Sequence, residues 1–374
     1  MVYDARSSSQ REAYPLVQSV LCAPYGGNHL VAWFGTIISK RQAMGVEVVR
    51  TYEQIDKRQW AQLVRESSTA TWWQTEEAYR LLSFLPDYRM EVVGVKEQEV
   101  LCGVAVIMRP QARTKIGQWL SRRAVIMGGV MVSDDISAEA YRRLMAAIKE
   151  QTSDTIYVEI RNLCDHSAWR GVVEPDGWRY MPHLNIRIDT SNAQAAISRI
   201  GKSKRRRIDS SVQKGVRVVE QPTLAQVREY YDVLRDLYVR RIHKPLPSWK
   251  TWERLYVSDV CRFILIEHEG RIIGGSVCIL WEGRVMYEWY ACGRDDERRV
   301  ISPASLTKYA EIQLAERMGI AQLDLMGAGR PDEQYGVRDF KAEFGGEMVE
   351  YGRYMYAHCP LVYRLGAMLM RKKI

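Results

Sequence analysis

The pattern of apolar residues predicts an α/β (α+β) fold of two tandem units, each a mixed sheet flanked by helices. Three observations carry this expectation. Helix-period and strand-period stretches alternate along the chain from Val46 onward. The order helix, helix, strand pair, strand, helix, strand occurs twice, and 374 residues suit two domains better than one. The halves also overlie each other. Residues 97–103 (EQEVLCG) match 269–275 (EGRIIGG), an acidic turn followed by aliphatics and a glycine. Residues 141–160 match 306–325 as helix, short turn and strand, setting Glu159 against Asp324.

Taken in order, residues 1–43 show no sustained period and are expected to be an appendage, with a first unit over 44–190 and a second over 191–374. Val46-Glu47-Val48-Val49 alternates as a strand, and Trp60, Leu63 and Val64 share one face of a helix from Asp56. Thr75 can cap a helix through Leu82, and Ser137 one whose face is Tyr141, Leu144, Met145 and Ile148. Between them lie a strand pair over 90–96 and 100–108, a basic amphipathic stretch over 116–123 and an apolar run around Gly128-Gly129. In the second half, helices are expected over 224–241 and 249–256 and strands over 263–267, 271–280 and 285–291. Ser302 and Pro303 open a further helix, as a cap followed by a first-turn proline. The apolar strand 320–325 then leads into Gly327-Ala328-Gly329 and on to Gly346. Residues 360–374 predict a peripheral helix with Leu361, Leu365, Met368 and Leu369 on one face and a basic end. It is expected to pack on the fold, and it also offers a peripheral contact with an anionic membrane.

The composition narrows the function classes. Fifty-four basic against 45 acidic side chains give a net charge of +9, which favours phosphates, RNA or an anionic membrane surface as partners. The seven cysteines are scattered without a Cys-x-x-Cys pair, so reduced thiols and a cytoplasmic chain are expected. The six histidines show no ligand spacing, so no metal and no cofactor is expected. No apolar run reaches the length of a membrane span, residues 30–38 included, and the N-terminus lacks the pattern of a secretion signal.

Two segments carry candidate chemistry. Gly327, Tyr335, Arg338, Asp339 and Lys341 follow a buried strand and surround Phe340 and Phe344. Glycines let a ligand approach the backbone, and the cations suit an anion; an ordinary turn and one amphipathic helical turn fit the same residues. Arg199, Lys202, Lys204, Arg205, Arg206 and Arg207 form a second, denser cluster. It suits phosphates of nucleic acid, a nucleotide-sugar diphosphate or anionic lipid, and a solvated helix end is the plainer reading.

The order of elements resembles the GNAT acyltransferase fold. Neither half shows the Arg/Gln-x-x-Gly-x-Gly/Ala loop that holds acyl-CoA phosphates there; Arg298-Arg299-Val300-Ile301-Ser302-Pro303 stands in its place. Adding Trp72-Trp73-Gln74, the KSKRRR segment followed by GVRVV, Leu323-Asp324-Leu325, Gly327 and Phe340-Lys341-x-x-Phe344-Gly345-Gly346, the chain from residue 46 to 374 resembles the FemABX family of peptidoglycan bridge-forming aminoacyltransferases. The resemblance implies transfer from aminoacyl-tRNA to an amine of a peptidoglycan precursor, nucleotide- or lipid-linked, in the cytoplasm and at the inner face of the cell membrane. It gives Lys341 the task of holding or polarising the precursor and puts Lys204, Arg206 and Arg207 forward for phosphate. The helical coiled-coil arm of some members is absent, since few residues separate the basic cluster from Gly215.

No Ser-His-Asp or Cys-His arrangement stands out, which suits direct attack by an amine. Lys341 can supply positive charge, with Asp324, Tyr290, Tyr335 and Glu288 as candidate proton-relay groups and Arg338, Phe340 and Gly327 around the substrate. Asp324 lies in an apolar strand and is therefore either well hydrogen-bonded or functional. Phe340 and Phe344 are expected as buried anchors holding Lys341 at the mouth of an inter-unit cleft, where losing the lysine would leave the fold intact. Two other functions remain open: an N-acyltransferase using acyl-CoA or another donor in envelope polysaccharide or lipid modification, and a non-catalytic nucleic-acid-binding protein. The last would need aromatics among the cations for stacking, and none lies between Arg199 and Gly215.

Overall fold

The computed structural model describes residues 45–111, 122–294 and 301–371. The expected appendage at 1–43, most of the basic stretch at 116–123, Arg298, Arg299, Val300, Lys372 and Lys373 lie outside the described residues.

The first half opens with β1 (Val46–Val49), α1 (Lys57–Glu66) and α2 (Glu76–Phe84). The long hairpin β2 (Tyr88–Glu97) and β3 (Val100–Pro110) follows, then β4 (Arg123–Gly128), β5 (Met131–Val132), α3 (Ala138–Gln151), β6 (Tyr157–Asn162) and β7 (Arg179–Met181). The expected caps form: Thr75 Oγ1 accepts from the Ala78 N–H and Ser137 Oγ from the Ala140 N–H. β8 (Leu184–Asp189), α4 (Ala193–Ser198), α5 (Lys202–Gln213) and β9 (Arg217–Val219) lead into the second half. There α6 (Leu224–Leu237) and α7 (Trp249–Tyr256) precede β10 (Cys261–His268), β11 (Arg271–Trp281) and β12 (Val285–Gly293). α8 (Pro303–Arg317), β13 (Gln322–Gly327), α9 (Gly336–Ala342), β14 (Glu347–Glu350), β15 (Arg353–Ala357) and α10 (Pro360–Arg371) complete it.

The internal repeat is visible in the geometry. Both hairpins turn on two left-handed residues, Gln98 and Glu99 in one and Glu269 and Gly270 in the other; such turns match the twist of the paired strands. In each half a helix then returns the chain to a parallel strand, β6 beside β4 and β13 beside β12. Among the described residues the strands form two sheets, ordered β1-β2-β3-β4-β6-β15-β7 with β5 on β3, and β14-β8-β13-β12-β11-β10-β9. Each sheet takes one strand from across the expected boundary at residue 190: β8 lies in the second sheet and β15 in the first.

Three apolar clusters hold this arrangement. One lies between the first sheet and α3, and another between the second sheet and α4, α5 and α8. The third joins the halves, from Trp60, Trp72 and Trp73 to Tyr230, Trp252 and Tyr287. Trp73 stands edge-on to Tyr287 and Trp289, with centroids 6.1 and 5.3 Å away. Asp87 of the first half accepts from Ser248 and Thr251 at the start of α7. Gln74 fills a gap between β3 and β4, which pair at Met108–Val125. Its amide accepts from the Val106 N–H and donates to the Met127 carbonyl, both at 2.7 Å.

Two expectations change here. α10 forms, but its stripe is not packed: Leu361, Leu365 and Met368 are 80, 60 and 62% exposed. Phe344 is fully buried, while Phe340 is only half-buried against Lys204. Among the described residues no helix is long and apolar enough to cross a membrane, and no cluster of potential metal ligands occurs.

Candidate active site

The two parallel strand pairs differ in one respect. In the first half β4 and β6 stay in register from Arg123–Tyr157 to Gly128–Asn162. In the second half β12 and β13 pair only from Val285–Gln322 to Tyr287–Asp324 and then part. Both strands bear irregularities at that point. β12 carries a bulge opposite Val277/Cys278, and β13 slips against β8 between Asp324 and Gly327, with Met326 at φ 60. A bulge breaks the ladder and re-aims its residues. Asp324 stabilises this one, its Oδ1 accepting from the Met326 N–H at 2.6 Å.

Lys341 projects from α9 into the parting. Its ammonium donates to the carbonyls of Leu325 and Gly327, and Glu288 Oε1 on β12 lies 3.7 Å away. Lys341 is 8% exposed, which corrects its expected place at a cleft mouth. Phe344 and the half-buried Phe340 seat α9 so that the lysine points inward. Behind it Lys308 of α8 pairs with Glu288 and, at 3.2 Å, with Glu311. Burial lowers the Lys341 ammonium to about 8, helped by Lys308 and opposed by Asp324 and Glu311. Burial likewise pushes the Asp324 carboxyl up to about 6, against the pull of the Met326 N–H, Arg187 and Lys341. A carboxylate and an ammonium with values near neutrality, beside an opened sheet, can exchange protons without large cost.

A cationic wall faces the parting from the first sheet. Glu159 accepts from Arg161 at 2.8 Å and from Arg353 at 2.6 Å, and Arg353 donates to His183 Nε2 at 2.7 Å. Burial would raise the Glu159 carboxyl, but the two guanidiniums hold it well below the usual range. His183 falls to about 3 through burial and then Arg353, so its ring is neutral. It sits against Gly327, where a Cβ would come within 3.0 Å of Nε2. The Lys244 ammonium is lowered by burial and then by Arg161, Arg353 and Arg123. Among the described residues this group sets four cations against Glu159. Arg123 and Arg161, with Asp87, Tyr88, Trp289 and Tyr290, line a cavity of about 170 Å³, in which Asp87 is taken up by Ser248 and Thr251. Water occupies about 30 Å³ per molecule, so this volume suits a phosphate-sized group.

The residues expected from sequence separate into groups. Lys341, Asp324, Gly327 and Glu288 gather at the parting. Tyr290 lines the cavity, and burial keeps its phenol protonated. Tyr335 is exposed with its ring against Gly329. Arg338 donates to the carbonyls of Arg330 and Glu333, closing the loop. Lys204 is buried, 3.2 Å from Glu343 and over the Phe340 ring, so it fastens α5 to α9 instead of facing solvent. Arg206 is exposed and Arg207 half-buried on α5. His183, Lys308 and the arginines of the wall were not singled out in the sequence; the alternation Glu159-x-Arg161 with Arg353 was their only trace.

The start of α8 is covered. Ser302, Ser305 and Thr307 are 2, 0 and 1% exposed, and the Ser302 N–H donates to Ser211 of α5. Ser302 therefore caps no helix with its side chain; its hydroxyl pairs with that of Ser305 at 3.0 Å.

Residues 198–341 match the acetyltransferase (GNAT) domain family. The chain is similar to the crystal structure of FemX, at 12% identity and a TM-score of 0.61 over 85% of this chain and 99% of that one. The protein has a FemX-like tandem GNAT fold. It is also similar to a tandem GNAT protein from the clavulanic acid biosynthesis pathway (12% identity, TM-score 0.58, 84% of this chain and 98% of that one). A third likeness is to the C-terminal domain of a lysylphosphatidylglycerol synthetase from Agrobacterium fabrum (13% identity, TM-score 0.52, 83% and 94%). No curated protein matches the sequence significantly.

Proposed function

We propose that the protein is an acyltransferase that moves an aminoacyl group from aminoacyl-tRNA to an amine of a peptidoglycan precursor peptide. The observation that carries this reading is the parting of β12 from β13, with the Lys341 ammonium inside it and the cavity bearing Arg123 and Arg161 along β12. An ester carbonyl entering the parting meets positive charge where its oxygen becomes negative on attack. The amine attacks, the ester C–O bond breaks, and the tRNA hydroxyl leaves. The amine's proton needs an acceptor; Asp324 at the parting, ionised above about pH 6, can take it, whereas Glu288 there is tied to Lys308. The arginine wall suits a precursor diphosphate, whether nucleotide- or lipid-linked.

Acyl-CoA is the alternative donor. The buried first turn of α8 speaks against it, because GNAT enzymes using that donor bring its pyrophosphate to this helix end. The test is to incubate the protein with a pool of charged tRNAs and precursors and weigh the precursors. An added aminoacyl mass supports the reading; modification only with acyl-CoA refutes it.

A further inference from the structure

We propose that α10 is a docking element for an anionic bilayer surface. Leu361, Leu365 and Met368, three and four residues apart, form one stripe, and all three are well exposed. The helix is held from the opposite side. The Tyr363 ring stands edge-on to Tyr157 with centroids 5.2 Å apart, and the Cys359 N–H donates to the Ile156 carbonyl. At 3.6 residues per turn Tyr363 faces away from the stripe. The contact that anchors the helix thus turns its apolar side outward.

Charge selects the occupant. Residues 360–374 contain Arg364, Arg371, Lys372 and Lys373 and no acidic residue. Exposed Arg364 flanks the stripe. Arg122, also exposed, lies beside the helix start, since Ile156 accepts from Cys359 and donates to the Arg122 carbonyl. Asp154, whose charge reaches His358 before the helix, is paired with Arg109 at 2.8 Å. Apolar residues flanked by cations are what an interfacial helix presents to anionic headgroups. A second copy of the chain would bring the same cations face to face. The inference does not depend on the transfer reaction.

Flotation of the full chain tests it, with vesicles of phosphatidylcholine alone and of phosphatidylcholine with phosphatidylglycerol. Wild type should rise with the anionic vesicles and stay behind with the neutral ones. The triple variant Leu361→Gln, Leu365→Gln, Met368→Gln should bind the anionic vesicles at least about tenfold more weakly while melting at the wild-type temperature. Lys372→Gln with Lys373→Gln should weaken binding as added salt does. Failure of wild type to float would overturn the proposal, as would equal binding by the triple variant. So would a wild-type dimer that the triple variant converts to monomer, because the stripe would then belong to a second copy.

Discussion

Lys341 combines two demands that usually exclude each other. It is buried and it is charged. Its ammonium satisfies the Leu325 and Gly327 carbonyls and faces Glu288. Removing one member of such a buried set leaves the others uncompensated, at about 3–5 kcal/mol. Lys341→Met, which nearly preserves volume, should therefore lower unfolding free energy by that amount in urea titrations. A loss below about 0.5 kcal/mol, the value for a surface lysine, would show that the side chain is solvated. His183 gives a pH-dependent prediction. Its folded-state value of about 3 lies below the ordinary 6.5, so the unfolded chain binds the proton more readily. This contribution is fully present above about pH 6.5 and is lost as pH falls toward about 3, at most about 1.4 kcal/mol per pH unit. His183→Gln can still accept from Arg353 but cannot titrate, so its stability should fall less steeply with acid. Parallel curves for the two proteins would contradict the assignment.

At the scale of elements, Gln74 and Lys341 occupy comparable gaps with opposite consequences. Gln74 closes the space between β3 and β4 with two neutral hydrogen bonds to backbone, and β4 and β6 remain paired throughout. Lys341 enters an opened parallel pair with a charge. Gln74→Ala would strand a buried N–H and a buried carbonyl, each costing about 1–3 kcal/mol. Calorimetry should therefore show a loss of about 2–6 kcal/mol, and an unchanged melting temperature would mean that water replaces the amide without cost. Elements of this kind were largely legible in the sequence. Local periodicity and caps announced α2, α3 and both hairpins, since those signals lie within a few residues of what they determine. Strand partners were not legible. β8 and β15 exchange sheets through pairings such as Gly327–Asn185 and Arg353–Arg161, and alternation along a strand does not encode its neighbour. The same limit hid the arginine wall, which three distant strands assemble, and it made Lys341 and Lys204 read as surface cations.

For the whole molecule, two halves of one element order differ at their parallel strand pair. The first has a continuous pair and contributes Arg123, Arg161 and Glu159. The second has the opened pair and contributes Lys341, Asp324 and the covered start of α8. β15 and Asp87 bind the halves, so the wall and the parting are held on the same scaffold. Placing transfer at this parting makes the single-turnover rate of Lys341→Met the deciding quantity, measured with aminoacyl-tRNA and precursor at a temperature where both proteins are folded. The rate should fall at least about a hundredfold, the scale of losing one preorganised charge at a developing oxyanion. A variant that is folded and transfers within about threefold of wild type would contradict the claim.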